Sequence, residues 1–181
     1  ALDVARRIAG VRPDARFVFV GGFSDEEYRA QVLARIRAAG LESTCILAGH
    51  QEDSAPWFRA FDILMHTAWR EGHAKVFNEA MVFGKPIVAS RIPGSIDVIE
   101  DGVTGHLCES GNAGAFVEGL LGLLNAPSRR MEFGEAGRRR VETRFSSNRS
   151  LAMLDELYRQ TLGRPIVAPG ASRAGLYEAD G

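Results

Sequence analysis

The sequence predicts a doubly wound α/β domain, a parallel sheet with helices on both faces. Short apolar segments alternate with stretches of helical periodicity over roughly the first 110 residues. Two of these segments, "RFVFVGG" and "STCILAG", end in glycine and are apolar nearly throughout. Such runs are typical of parallel strands that are buried on both faces. With 181 residues, of which 45% are hydrophobic and 25% charged, the chain has the size and composition of one globular domain.

Each element is predicted from its apolar spacing and from the residues that stop it. The chain opens inside a helix, because Leu2, Ala5 and Ile8 recur at helical spacing and Gly10 supplies a stop. The Ser24–Glu27 spacing suggests a capping box for the next helix. The predicted strands are 16–22, 43–49, 62–68, 86–90 and the end of 101–108. The predicted helices lie at the N-terminus, from the capping box to about Ala39, at 54–61, before Gly84, and at 95–100, 113–125, 128–145 and 147–162. We therefore expect a domain at 1–163 and a flexible tail at 164–181.

Composition narrows the possible partners and the compartment. The formal net charge of −1 gives no general attraction to nucleic acid, so none is expected as a partner. Cys45 and Cys108 each lie in an apolar run, which predicts buried thiols in a reducing compartment. No apolar run approaches the roughly 18 residues of a spanning helix, and the first residues do not read as a signal peptide. The expected location is the cytoplasm.

The ends of the predicted strands place one motif at the ligand-binding edge of the sheet. Parallel α/β sheets bind ligands beyond the carboxyl ends of their strands. The segment "REGHAKVFNEAMVFGKP", residues 70–86, lies there and carries Glu71 and Glu79 eight positions apart. If helical throughout, that spacing is about 12 Å. Free amides of residues 73–76 would favour a pyrophosphate, and carboxylates accept hydrogen bonds from vicinal hydroxyls, so the motif fits a nucleotide sugar.

Two simpler interpretations remain open from the spacing alone. Lys75 and Glu79 are spaced i, i+4 and could form an exposed ion pair worth only a few tenths of a kcal/mol. Glu71, between Arg70 and Gly72, could be a solvated loop acid. Arg91, just past the fourth strand, is a further candidate for the cleft, with a surface arginine as the alternative.

The extended motif resembles the donor-binding motif of retaining glycosyltransferases of the GT-B fold, family 4 or group 1. "REGHAKVFNEAMVFGKPIVAS" carries that family's two glutamates separated by seven residues, then Ala-Met, Gly-Lys-Pro and a strand. "CILAGH", "FRAFDILMHTA" and "IEDGVTGHL" agree with neighbouring family segments, and the likeness covers about residues 1–162. The resemblance implies a Rossmann-like C-terminal donor lobe, apparently lacking its first strand.

The resemblance also implies a role for each site residue. Glu79 would bind the ribose and Glu71 the transferred sugar, as the catalytic residue. The amides of Gly72, His73, Ala74, Lys75 and Val76 would hold the diphosphate, with Lys75 adding charge, and Gly49–His50 would approach the base. Transfer would retain configuration and need no metal or other cofactor. An N-terminal acceptor lobe, absent here, would complete the enzyme and bring any peripheral membrane association, so this chain alone should be inactive.

The sequence departs from the family pattern in two places. His73–Ala74 replaces a usual Phe-Gly, and Ile96–Asp97 replaces a frequent Pro-Glu. Two alternatives therefore accompany the glycosyltransferase interpretation. One is a nucleotide-sugar epimerase of the same fold, and the other is a non-catalytic nucleotide-binding or partner subunit.

Overall fold

The computed structural model describes residues 1–72, 75–145 and 147–162, so the predicted tail lies outside the described residues. They fall into two compact units, Ala1–Arg139 and the residues from 140 onward. The strands are β1 Phe17–Val20, β2 Cys45–Gly49, β3 Leu64–His66, β4 Ile87–Ser90 and β5 Gly105–Cys108. The helices are α1 Leu2–Ala9, α2 Glu26–Ala38, α3 Ala55–Ala60, α4 Lys75–Val82, α5 Pro93–Ile96, α6 Ala113–Leu124, α7 Pro127–Arg144 and α8 Ser147–Leu162.

All strand pairing is parallel, as predicted, and it is divided between two ladders. One ladder joins β1 to β2 with Phe17 opposite Cys45, and the other has the order β3-β4-β5 with Ile87 opposite Leu64 and Gly105. Within the described residues no ladder joins β1 to β3. The order β2-β1 and β3-β4-β5 is that of a doubly wound sheet without the strand at its switch point.

Helices lie on both faces of the sheet, but Val18, Val20 and Ile46 are at least 40% exposed, so the expected burial of β1 and β2 on both faces was wrong. On one face, α1 and α6 share a core cluster with Val88 of β4, and Phe17 and Met65 pack against that cluster from β1 and β3. On the other face, Phe77 of α4 packs against His66 of β3, which alternates in direction with Met65. Strand β4 is buried over its whole length, as expected for a strand covered on both faces. The doubly wound α/β prediction is confirmed.

Three sequence expectations concern local details. The capping-box prediction was wrong, because Asp25 caps α2 by accepting a hydrogen bond from the Tyr28 N–H at 2.6 Å while Ser24 donates to Asp25. The short helix α5 starts at Pro93 rather than residue 95, since the fixed φ of proline suits a first helical position. Both cysteines are buried free thiols, which confirms their predicted burial.

Side chains satisfy the backbone on the outer edge of β5. The Leu107 N–H donates to Oδ1 of Asp101 at 3.0 Å, and the Arg91 guanidinium donates to the Leu107 carbonyl at 3.3 Å. Arg91 also forms an ion pair with Asp101, and its Nε lies 3.6 Å from Glu109. Arg91 is therefore committed to this edge, and the structure does not support its assignment to the donor cleft.

The unit from residue 140 onward contains the end of α7 and helix α8. An ion pair between Arg159 and Asp155, at 2.9 Å, lies along α8. Among the described helices, none combines the length and the apolar character that crossing a membrane requires.

Candidate donor-binding site

Glu71 and Gly72 form the last described part of the loop that leads from β3 to α4. Glu71 is half-buried and Gly72 is exposed. The Glu71 carbonyl accepts a hydrogen bond from the Gly94 N–H at 3.2 Å, so this loop is tied to the turn that follows β4. The structure thus places Glu71 at the carboxyl end of β3, the edge at which a parallel sheet binds ligands.

The Glu71 carboxylate lies within electrostatic reach of His66. Burial lowers the pKa of His66, and the negative charge of Glu71 acts against that effect by favouring the protonated imidazole. The His66 ring meets Phe77 edge to face with centroids 4.8 Å apart, and its buried Nδ1 has no hydrogen-bond partner among the described residues. Because Glu71 is itself half-buried, its interpretation as a solvated loop acid loses support.

Helix α4 buries one side and exposes the two charged residues that the sequence singled out. Phe77, Ala80 and Met81 are fully buried. Lys75 and Glu79 are both exposed, and although the structure describes both side chains, no ion pair joins them. The surface-pair interpretation of Glu79 therefore has no support in the structure, and its carboxylate is available to a ligand.

The turn after β4 is held by a buried hydroxyl. The Ser95 side chain is fully buried, and its Oγ accepts a hydrogen bond from the Ile92 N–H at 3.0 Å. Its single proton can be donated to the Ser90 carbonyl at 2.6 Å or to the Ile92 carbonyl at 2.8 Å. This arrangement fixes the backbone that carries Gly94 against the Glu71–Gly72 loop.

The predicted base-binding region lies at the end of the other ladder. The Gly49 carbonyl accepts from the Gly21 N–H at 2.8 Å, and Gly49 has a φ of +70°, which favours glycine. His50 is exposed and lies beside Gly22. A hollow of about 500 Å³ between α2 and β2 extends to Gly49. Among the described residues, no hydrogen bond or ion pair joins Gly49–His50 to the Glu71 loop.

Part of the predicted anion site falls on residues that the structure does not describe. His73 and Ala74 lie outside the described residues, so the four amides of 73–76 are described only at Lys75 and Val76. The described residues contain no group of three or more His, Cys, Asp or Glu side chains that could hold a metal ion. Independence of metal stays a prediction.

Sequence reasoning missed three residues at this edge. Gly94 and Ser95 shape the turn beneath Glu71, and only the position of the turn at a strand end indicated them. Trp69, two residues before Glu71, is 72% exposed, and its ring lies so close to Gly111 that a Cβ there would be 2.7 Å from it. A single exposed aromatic residue carries no periodic signal in the sequence.

Comparison with known proteins assigns the chain to a family. The family model for glycosyl transferases group 1 matches residues 1–140. The chain belongs to this family. It is 31% identical over 113 residues to the capsular polysaccharide biosynthesis glycosyltransferase CapM of Staphylococcus aureus, which covers 62% of this chain and 30% of CapM.

Solved structures of GT-B glycosyltransferases share the fold. A variant of TarM from S. aureus, in complex with UDP, fondaparinux and α-GlcNAc-glycerol, matches with a TM-score of 0.81 and 25% identity over 87% of this chain and 31% of TarM. The C-terminal domain of LpcC, a group 1 family protein from Francisella tularensis, matches with a TM-score of 0.73 and 23% identity over 81% of this chain and 77% of that domain. The chain thus has the fold of a C-terminal GT-B lobe and spans about a third of the length of CapM and TarM.

Proposed function

We propose that this group 1 family chain is the donor-binding lobe of a glycosyltransferase that uses a nucleotide-diphosphate sugar. An N-terminal acceptor lobe, in the same or another chain, completes the enzyme, and the sugar is transferred with retention of configuration. Family membership and the UDP present in the TarM complex support a nucleotide-sugar donor. The comparisons do not favour the epimerase or the non-catalytic alternative.

The observation that carries the proposal is the arrangement of the two glutamates around the start of α4. Glu71 is half-buried at the end of β3, while Glu79 is exposed on α4 without an ion pair to Lys75. Carboxylates accept hydrogen bonds from vicinal hydroxyls, and the first amides of a helix favour an anion. One ligand with a diphosphate between two hydroxyl-bearing rings satisfies all three features.

Each residue then has a distinct role in the proposed reaction. Glu79 binds the ribose, and Glu71 binds the hydroxyls of the transferred sugar. The amides from Gly72 to Val76, together with Lys75, bind the diphosphate and stabilise the charge that develops on it as the glycosidic bond breaks. Gly49–His50 contacts the base. Neither a metal nor another cofactor takes part, and the location is the cytoplasm, in agreement with the two buried thiols.

Calorimetric titration of the folded chain with UDP, GDP and ADP tests the donor site. At least one nucleotide should bind, and Glu79→Ala should weaken it by one to a few kcal/mol, about the value of a hydrogen bond that involves a charged group. Glu132→Ala, which removes another exposed helical glutamate, should leave the affinity unchanged. If the folded chain binds none of the three nucleotides, or if Glu79→Ala binds as tightly as the unmodified chain, the assignment fails.

The reaction itself is tested with the acceptor lobe present. Products formed from the donor identified by titration are analysed by NMR for the configuration at the anomeric carbon. We expect transfer with the donor's configuration retained. Inversion would overturn the proposed stereochemistry, and isomerisation of the donor without an acceptor would favour the epimerase.

A further inference from the structure

We propose that Gly94 is a positioning residue for the donor site, because its bare backbone forms the seat against which the Glu71–Gly72 loop lies. The inference rests on the proposed function in so far as Glu71 and the Gly72 amide contact the donor. The seat itself is a property of the fold, and it can be tested without a ligand.

The first observation is how closely the two backbones approach. A Cβ built on Gly94 would lie 2.5 Å from the Glu71 carbonyl oxygen and 2.8 Å from that of Gly72. Ordinary contacts of a Cβ begin near 3.4 Å, so any side chain at residue 94 requires the loop to move by about 0.9 Å. The contact also includes a hydrogen bond, which the Gly94 N–H donates to the Glu71 carbonyl at 3.2 Å.

The second observation is that Gly94 is needed for space and not for its dihedral angles. Its φ is not among the positive values found at other glycines such as Gly84 and Gly111, and it lies within helix α5. The backbone conformation would accept alanine, which is a better helix former than glycine. A harmful effect of alanine at this position would therefore come from the contact with the loop.

The third observation is that the turn carrying Gly94 is held in place more firmly than the Glu71–Gly72 loop. Ile87, Val88 and Ala89 of β4 are fully buried, and the chain leaves that strand directly into the turn. The buried Ser95 hydroxyl then bonds the Ile92 N–H and the carbonyls behind it. By contrast, the Glu71–Gly72 loop lies partly in solvent. A clash at Gly94 should thus displace the loop and leave the turn in place.

The size of that displacement decides what it would do to the ligand. A shift of about 1 Å in a group that contacts substrate can cost roughly 10²-fold in rate. The shift would move Glu71 away from the sugar and the Gly72 amide away from the diphosphate, while Glu79 on α4 keeps its place. The effect should therefore be large for ligands with a diphosphate and small for ligands that end at the first phosphate.

The experiment compares Gly94→Ala with Gly122→Ala, a helical glycine at which a Cβ meets nothing within 4 Å. Backbone amide NMR shifts of Glu71 and Gly72 are measured without ligand, thermal unfolding is followed for both variants, and affinities for UDP and UMP are measured by calorimetry. For Gly94→Ala we expect the two amides to shift. The UDP affinity should fall about 10-fold or more, because the charged diphosphate loses the hydrogen bond from the Gly72 amide, while the UMP affinity should stay unchanged. Gly122→Ala should leave the amide shifts of Glu71 and Gly72 and both affinities unchanged, and it should raise the midpoint of thermal unfolding, because alanine is the better helix former.

A second variant covers the case in which Gly94→Ala does not fold. Ser95→Ala adds no bulk but removes the acceptor of the Ile92 N–H, so amide exchange at Ile92 should accelerate and UDP affinity should fall relative to UMP. Unmoved Glu71 and Gly72 amides in Gly94→Ala, or an unchanged ratio of UDP to UMP affinity, would overturn the inference. If the unmodified chain binds neither UDP nor UMP, the proposed function fails. The amide shifts of Glu71 and Gly72 then test by themselves whether Gly94 positions the loop.

Discussion

Replacing Asp101 with alanine should lower the free energy of unfolding by about 1–2 kcal/mol, because one carboxylate serves two partners on the outer edge of β5. Oδ1 accepts from the Leu107 N–H at 3.0 Å, and Oδ2 pairs with Arg91. A hydrogen bond to a charged group contributes about 1.5–3 kcal/mol when buried, but this carboxylate is 41% exposed, so about 1 kcal/mol is the better value. An exposed ion pair adds about 0.2–1 kcal/mol.

Asp101→Asn separates the two contributions. The asparagine oxygen can still accept from the Leu107 N–H, so this variant should lose only the ion pair with Arg91, about 0.2–1 kcal/mol. Thermal unfolding resolves the difference, since 1 kcal/mol shifts the midpoint by about 2–4 °C for a chain of this length. High salt should reduce the effect of asparagine and leave the extra loss in alanine largely intact.

The result that would refute this reasoning is equal destabilisation by alanine and asparagine. It would mean that the Leu107 N–H gains nothing from the carboxylate compared with water. The hydrogen bond from the Leu107 N–H to Asp101 at the β5 edge would then contribute nothing to the free energy of unfolding.

Further substitutions test the site, the core and a helix end. Glu71→Gln should lower the pKa of His66 further, because it removes the charge that favours the imidazolium, whereas Glu79→Gln should not; NMR titration of the ring measures both. Since burial already holds the folded-state pKa of His66 below about 6.5, this histidine should reduce stability as the pH falls below that value, and His66→Phe should remove that part of the pH dependence. Leu123→Ala in the buried core should cost about 2–5 kcal/mol in denaturant unfolding, without a change in the slope m. Asn112→Ala should cost about 1 kcal/mol by removing the cap of α6, while Asn112→Asp, which keeps the acceptor, should cost less.

Elements were predictable from the sequence because their signals are local. Helical and strand periodicities located the strands and helices, such as α6 at Ala113–Leu124 for the predicted 113–125. The prediction of a capping box at Ser24 was wrong because Asp25, the next residue, accepts the hydrogen bond from the Tyr28 N–H. Which of the two side chains caps the helix depends on the backbone conformation that leads into it. The two ladders could not be predicted from apolar runs, since a run does not specify which strand it pairs with.

The site was predictable as far as its chemistry lies in one segment. Glu71 and Glu79 are eight positions apart in the sequence, and in the structure Glu71 lies before α4 and Glu79 lies within it. Gly94 contacts Glu71 across 23 positions, and a glycine in the sequence does not show what it lies against. The effect of Glu71 on His66 was also hidden, because the distance between the two charged groups depends on the path of the loop that separates them.

Helix α1 joins the two sets of strands by side-chain packing, whereas the strands within each ladder are joined by backbone hydrogen bonds. Val4 and Ile8 belong to the cluster with α6 and β4, while Ala5 belongs to the cluster with α2 and β2. No ladder hydrogen bonds join β1 to β3 in the described part of the chain, so side-chain packing on α1 is a principal link between the two sets of strands. Apolar packing weakens on cooling, whereas backbone hydrogen bonds do not depend on the hydrophobic effect. We therefore expect this junction to loosen in the cold before either ladder does.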